Sequence, residues 1–434
     1  MQISRLALAG AAMLAAGAAA HAAPVYVKAG SLIDPGKGTV TKDAALVVDG
    51  GKIIAAGTQR ATKIPKGATV IDLGTETVMP GFIDMHTHLT GDADTGAYES
   101  LGLSDERSAI TGVKNARLTL LAGFTTVRDV GAGSYSDVAL RDAINEGDVP
   151  GPRMYVSGPP VGITGGHCSD INLLPPEYHL KGEGVANGPW EMRAKVRENI
   201  KYGVDLIKTC STGGVFSKGT SLGAAQGTLE ELTAIVEEAH ARGLKVASHA
   251  HGTVGIRNAL LAGVDTIEHA SILDDETIAL AKEKGAYLSM DIYNTEYTLA
   301  EGEKNGVLPE SIEKEKSISK IQRASFTAAN KAGAKMVFGS DSGVYPHGDN
   351  PKQFSRMVQF GMTPMQAITA ATATAAEALG KPGLLGCLNV GCAADMVAVR
   401  GDPLKDISIL EQANFIMKDG HVYKQDGIEA VGIR

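Results

Sequence analysis

Short apolar runs recur along the chain at 81–88, 124–129, 153–157, 204–208, 244–249, 264–269, 286–290 and 335–341, and segments of helical periodicity separate them. A glycine stands just before most of these runs (Gly123, Gly203, Gly243, Gly263, Gly285, Gly333), after a helical stretch such as 228–242 or 318–332. Glycine tolerates the left-handed position that closes a helix, so each reads as a helix stop, a short loop and a strand. Strands alternating with helices predict βαβ units in a parallel sheet. Eight such units over 80–380 predict closure into an α/β fold of the (β/α)8 TIM-like barrel class.

The texture changes at both ends. Residues 25–27, 44–48 and 52–56, with the turn Asp49-Gly50-Gly51, read as hairpin strands, and the same pattern returns at 396–399, 414–417 and 419–423. Segments 23–79 and 381–434 are therefore predicted to build one small β-sandwich domain from both ends of the chain. Residues 1–22 stand apart: Arg5 supplies a positive charge, 6–20 are apolar but short for a bilayer span, and Ala20-His21-Ala22 has the small-x-small form of a cleavage site. They read as a secretory signal peptide, which predicts a periplasmic or secreted protein with no membrane association after cleavage.

Composition narrows the function class. A 434-residue chain with 44% hydrophobic and 21% charged residues has room for one large domain and a smaller one. A net charge of -8 with interspersed signs offers nothing to nucleic acid or an anionic membrane. One Trp and 8 Phe leave the packing to Ala, Val, Ile and Leu. Cys168 and Cys210 fall in βα loops of the barrel, and Cys387 and Cys392 in the C-terminal segment. None has CxxC spacing, and a disulfide within either pair stays open.

Chemistry gathers at the C-terminal ends of the predicted strands, the face where a parallel barrel builds its site. His86 and His88 are two apart on one strand, so both imidazoles face the same side and can grip one ion. His249 and His269 each close a separate apolar strand, where a structural histidine would be an unneeded polar burden. Asp341 ends the last run; a carboxylate there can cap a helix, or it can bind a metal and take a proton from water. Lys208 would be repelled by dications as an ammonium, but its neutral amine can add carbon dioxide to give a bridging carbamate.

The stretch 79–88 with Lys208, His249, His269 and Asp341 resembles the amidohydrolase superfamily in its binuclear form with a carboxylated lysine. Segments 123–129, 209–215, 248–252, 263–269, 345–348 and 390–399 extend the likeness over nearly the whole chain beyond residue 22, toward the branch of prolidase-like dipeptidases, carboxypeptidases and ochratoxin-type amidases. The resemblance implies His86 and His88 on a buried metal, Lys208 as N6-carboxylysine bridging two divalent ions, His249 and His269 on the second, and Asp341 as ligand and proton shuttle. Zinc suits the histidines, while the oxygen ligands admit manganese or cobalt. It implies hydrolysis of an amide or peptide bond next to a C-terminal amino acid by a metal-bridging hydroxide, a small-molecule or dipeptide-like substrate, and a homo-oligomer.

His251, beyond the end of its strand, reads as a catalytic substrate or oxyanion contact. His167, in a glycine-rich loop after the third strand, His347 and Arg128 are further substrate-side candidates. Prolidase-like members often carry an aromatic residue where this chain has Gly227, which implies a wider pocket and an aromatic or bulky group. A lactonase or esterase could use the same centre. A deaminase would normally lack the bridging lysine, and a non-catalytic binding protein would not need all six ligand positions filled.

Overall fold

The computed structural model describes residues 23–430. The N-terminal segment forms β1 (Val25–Asp34), β2 (Thr39–Asp49), β3 (Lys52–Thr58), β4 (Thr69–Asp72) and β5 (Thr77–Pro80). The barrel strands follow: β6 (Phe82–Thr87), β7 (Phe124–Asp129), β8 (Arg153–Val156), β9 (Leu206–Cys210), β10 (Lys245–Ala250), β11 (Thr266–His269), β12 (Tyr287–Ser289) and β13 (Lys335–Val337). Then β14 (Met396–Val399), β15 (Phe415–Lys418), β16 (His421–Gln425) and β17 (Ile428–Glu429) complete the chain.

Strands β6 to β8 pair in parallel in sequence order, as do β9 to β13. Two seams join these arcs into a closed barrel. Val161 N–H donates to the Lys208 carbonyl at 2.8 Å beyond the end of β8. On the other side Met85 N–H donates to Phe338 O, Asp341 N–H to His86 O, and His88 N–H to Ser342 O, at 2.8–2.9 Å. The last strand is shorter than its apolar run, ending at Val337, yet these bonds carry the ladder on to Asp341.

Local chemistry sets the helix ends. Thr228 and Glu231 form a capping box at the start of helix Leu229–His240, and Gly263 and Gly285 close their helices at φ 93° and 69°. The expected helix at 318–332 is the second half of a longer one, Pro309–Lys331, whose start is set by the proline at its first turn. Four of the eight phenylalanines, Phe82, Phe124, Phe338 and Phe354, meet in one buried cluster with ring centroids 4.7–6.4 Å apart.

The two chain ends do combine. Strands β1–β5 and β14–β17 make a nine-stranded sheet in the order β17-β16-β15-β14-β5-β1-β2-β3, with β4 also on β1. Its continuity rests on the antiparallel pairing of β5 with β14, residues more than 300 apart in sequence. Side chains from both ends, among them Val27, Leu46, Ile53, Val78, Met396, Phe415 and Met417, share one core. A disulfide links Cys387 to Cys392 within this domain. The N-terminal 22 residues, read as a signal peptide, lie outside the described residues; among the described ones no helix is long and apolar enough to cross a membrane.

Candidate metal centre

At the C-terminal mouth of the barrel, a cavity of about 290 Å³ brings together His86, His88, Lys208, His249, His269 and Asp341, joined by His167 and His251. Residues from five strands or strand ends, and from the loop after β8, thus meet in one place. The His86 and His88 Nε2 atoms lie 3.2 and 3.4 Å from Asp341 Oδ1. Two groups of potential ligand atoms form, His86 with His269 and Asp341, and His249 with His251 and His269, the atoms of each within 4.8 Å of one another. His269 belongs to both.

The other ring nitrogens are held from behind. His86 Nδ1 meets Glu268 Oε2 at 3.0 Å, His88 Nδ1 the Gly131 carbonyl at 3.0 Å, His269 Nδ1 Asp291 Oδ1 at 2.8 Å, and His251 Nδ1 Ser271 Oγ at 2.8 Å. The carboxylate and carbonyl partners of His86, His88 and His269 accept from Nδ1–H and so leave the Nε2 lone pair for the cavity, the arrangement that orients metal-ligating histidines, while Ser271 holds the His251 ring in place. His249 Nε2 is buried and has no hydrogen-bond partner among the described residues. An orphaned polar atom on a ring packed against three other imidazoles, those of His167, His251 and His269, calls for a ligand.

Electrostatics suit a cation. Burial pushes the His249 and His251 imidazoles well below the usual range and His269 down to about 3, so all three are neutral at pH 7. Burial opposes ionisation of Asp341 too, yet His86, His88 and His269 hold its carboxyl well below the usual value. Lys208 is lowered to about 8 by burial, against the pull of Glu268 and Asp341, which raises the share of free amine that carbamate formation needs. Donor types, burial and protonation all fit a pair of divalent ions.

The backbone is strained at this face. His269, Ala270 and Asp341 adopt left-handed φ of 68°, 44° and 59°. Such conformations cost about 1–3 kcal/mol each away from glycine and persist where surrounding structure dictates them. Asp84 supplies part of that grip: one oxygen accepts from His86 N–H and Ser340 N–H, the other from Asn350 Nδ2.

Two expected substrate contacts, Arg128 and His347, and the glycine expected to widen the pocket, Gly227, lie elsewhere. Arg128 does not reach the mouth: it is buried inside the barrel, with Nε on the Met85 carbonyl at 2.5 Å, one terminal nitrogen on Thr266 Oγ1 at 2.8 Å and the other on Glu268 Oε1 at 2.6 Å. Each of its three nitrogens is bonded inside the barrel, and it lines no part of the cavity where a substrate carboxylate would sit. His347 is buried against Thr119, behind His88 and outside the cavity, with burial lowering it to about 4. Gly227 lines no part of the cavity; its φ of 72° shows a turn that leads into the Thr228 cap. Glu268, Asp291, Ser271 and Asn294, by contrast, were not anticipated. Asp291 sits just past β12, where its place at a strand end was the available signal.

A barrel carrying this His, Lys and Asp constellation at its C-terminal mouth has the donor set of a site that could hold metal ions. The amidohydrolase family model matches residues 77–424, and the chain belongs to that family and is a hydrolase acting on amide bonds. Ochratoxinase of Aspergillus niger is 34% identical over 94% of this chain and 88% of its own length. Among solved structures, a Xaa-Pro dipeptidase with methionine bound in its active site superposes with a TM-score of 0.86 at 37% identity, covering 93% of this chain and all of that one. The crystal structure of the Aspergillus niger ochratoxinase gives 0.84 at 31% identity, covering 95% and 98%.

Proposed function

We propose that this chain is an exported, zinc-dependent amidohydrolase that releases a C-terminal amino acid from a dipeptide or an N-acyl, including aromatic-acyl, amino acid. The observation that carries the reading is the gathering of His86, His88, Lys208, His249, His269 and Asp341 around one cavity at the barrel mouth. In this reading His86, His88 and Asp341 would hold one ion and His249 and His269 the other, with Lys208, as N6-carboxylysine, as the ligand they would share. Such ions, when bound, act as Lewis acids on the scissile carbonyl and lower the pKa of water.

The chain's own groups supply the rest. Asp341, ionised and within 3.3 Å of Asn294 Nδ2, is placed to take the proton of the attacking water and return it to the leaving nitrogen. Without that proton an amide nitrogen leaves poorly. His251, braced by Ser271, and His167, braced by Ser217 at 2.8 Å, present their rings on the substrate side. Export is supported by the apolar segment 6–20 and by the two disulfides, which persist in oxidising compartments.

Zinc-reconstituted protein starting at Ala23 should release free amine from N-acyl amino acids and dipeptides, and not from their C-terminal amides. Activity confined to a lactone or to an aminated heterocycle would sink the amide reading while leaving the metal centre in place. Metal content tests the ligand assignment separately. Lys208→Met should reduce bound zinc from two ions to one or none per chain, as read by elemental analysis after dialysis, whereas His251→Ala should keep both. Two ions retained in Lys208→Met would remove the lysine bridge.

A further inference from the structure

The cavity wall contains a covalent link that the proposed chemistry does not use. Cys168 and Cys210 are joined, Cα to Cα 6.1 Å, and both line the cavity with Lys208 and His167. Cys210 is the last residue of β9, two beyond Lys208 and on the same face of the strand. Cys168 follows His167 in the stretch 157–188 between β8 and helix Pro189–Lys201, whose only helical turn is Pro176–Tyr178.

This stretch is tied to the barrel at its base by the Val161 to Lys208 backbone bond. Farther out, its turns are bonded largely to one another: Asp170 accepts from Gly165 and Gly182, and Ser169 donates to the Ile163 carbonyl. Bonds of that kind shape the loop without fixing where it sits. Glu183 ties the far end of the loop to Ser134, accepting from its N–H at 2.7 Å and from its Oγ at 2.8 Å, while the part that faces the cavity is placed by residues 167 and 168. His167 N–H donates to Gln226 Oε1 at 2.9 Å, its Nδ1 meets Ser217 Oγ, and its ring lies 4.1 Å from that of His249, centroid to centroid. The next residue is bonded through sulfur to the strand that carries Lys208.

We propose that the Cys168–Cys210 disulfide is a positioning bridge of the active site, holding the His167 loop against His249 so that it forms one wall of the substrate pocket. The inference rests on the cavity being the hydrolytic site. The base of the loop keeps its own anchor to β9, so opening the bridge loosens the His167 wall and leaves the barrel intact. Substrate binding then suffers more than the chemical step, which depends on groups carried by the barrel strands.

The test compares zinc-loaded parent protein, Cys168→Ala/Cys210→Ala and, as a control for loss of a disulfide in general, Cys387→Ala/Cys392→Ala, with N-acetyl-L-phenylalanine as substrate. The expected result for the first variant is two zinc ions per chain, KM raised about tenfold or more, kcat within about threefold, and faster amide hydrogen exchange confined to residues 160–170. The control variant should keep the parent's KM. Should the first variant fail to fold, parent protein reduced with a phosphine and mapped by differential alkylation gives the same comparison. Unchanged KM and unchanged exchange would overturn the proposal, as would an equal rise in KM in the control or free thiols at Cys168 and Cys210 in the untreated protein. If the parent cleaves no amide at all, the function proposed above fails, and the exchange comparison alone decides the bridge.

Discussion

Asp341→Asn should fold, load zinc and turn over substrate about 10³-fold more slowly than the parent, within the 10²–10⁴ that a positioned acid–base group contributes. The choice of asparagine matters because residue 341 has φ 59°, and Asn is among the few side chains that tolerate this region. The backbone bond from residue 341 to the His86 carbonyl is also kept, and so is the seam of the barrel. What disappears is the negative charge that His86, His88 and His269 stabilise, and with it the ability to accept a proton. The decisive measurement is kcat beside metal content on the same sample. Turnover near that of the parent would remove Asp341 from proton transfer, while lost zinc would reassign its main role to ligation.

A second large effect is expected far from the substrate. Arg128→Met should lower unfolding free energy by about 3–5 kcal/mol, the usual penalty for removing one partner of a buried ion pair. Arg128 and Glu268 side chains are 4% and 0% exposed, so water cannot replace the lost guanidinium. Burial disfavours the Glu268 carboxylate, but Arg128 and His86 hold it well below the ordinary carboxylate range. A depressed carboxyl adds stability above its unfolded pKa of about 4.3 and loses it as pH falls toward the folded value. In the variant Glu268 protonates more readily, so the gap to the parent should be widest near pH 7 and close in acid. Urea unfolding of the metal-free forms at several pH values measures this, and Glu268→Gln added to Arg128→Met should recover part of the loss. A gap independent of pH would show that lost packing, not the stranded charge, dominates.

Much of this was legible in the chain because strand periodicity and chemistry coincide. His86, His88, His249 and His269 each terminate an apolar run, and barrel closure turns those ends toward one cavity. Arg128 defeated the same logic. It too lies at a strand end, but its long side chain turns inward across the barrel to a glutamate 140 positions away, a pairing no local pattern encodes. Asp291 was hidden between Met290 and Ile292, two buried apolar neighbours that make the stretch read as core. Gly227 was weighed by the side chain it lacks, when its place in the structure is set by its φ. The sulfur pairs could be counted but not matched, since connectivity depends on loops whose path the sequence leaves open.

The pairing of β5 with β14 also constrains the order in which the molecule can form. Residues 77–80 leave the ribosome long before 396–399, and until then β5 lacks its partner on that side. An unpaired strand edge is a template for association with other chains. Closing so long a loop is slow, though its entropic cost grows only with the logarithm of its length. Assembly of the terminal sheet is thus a late event, and a chain stopped before residue 396 would keep its barrel strands while exposing that edge.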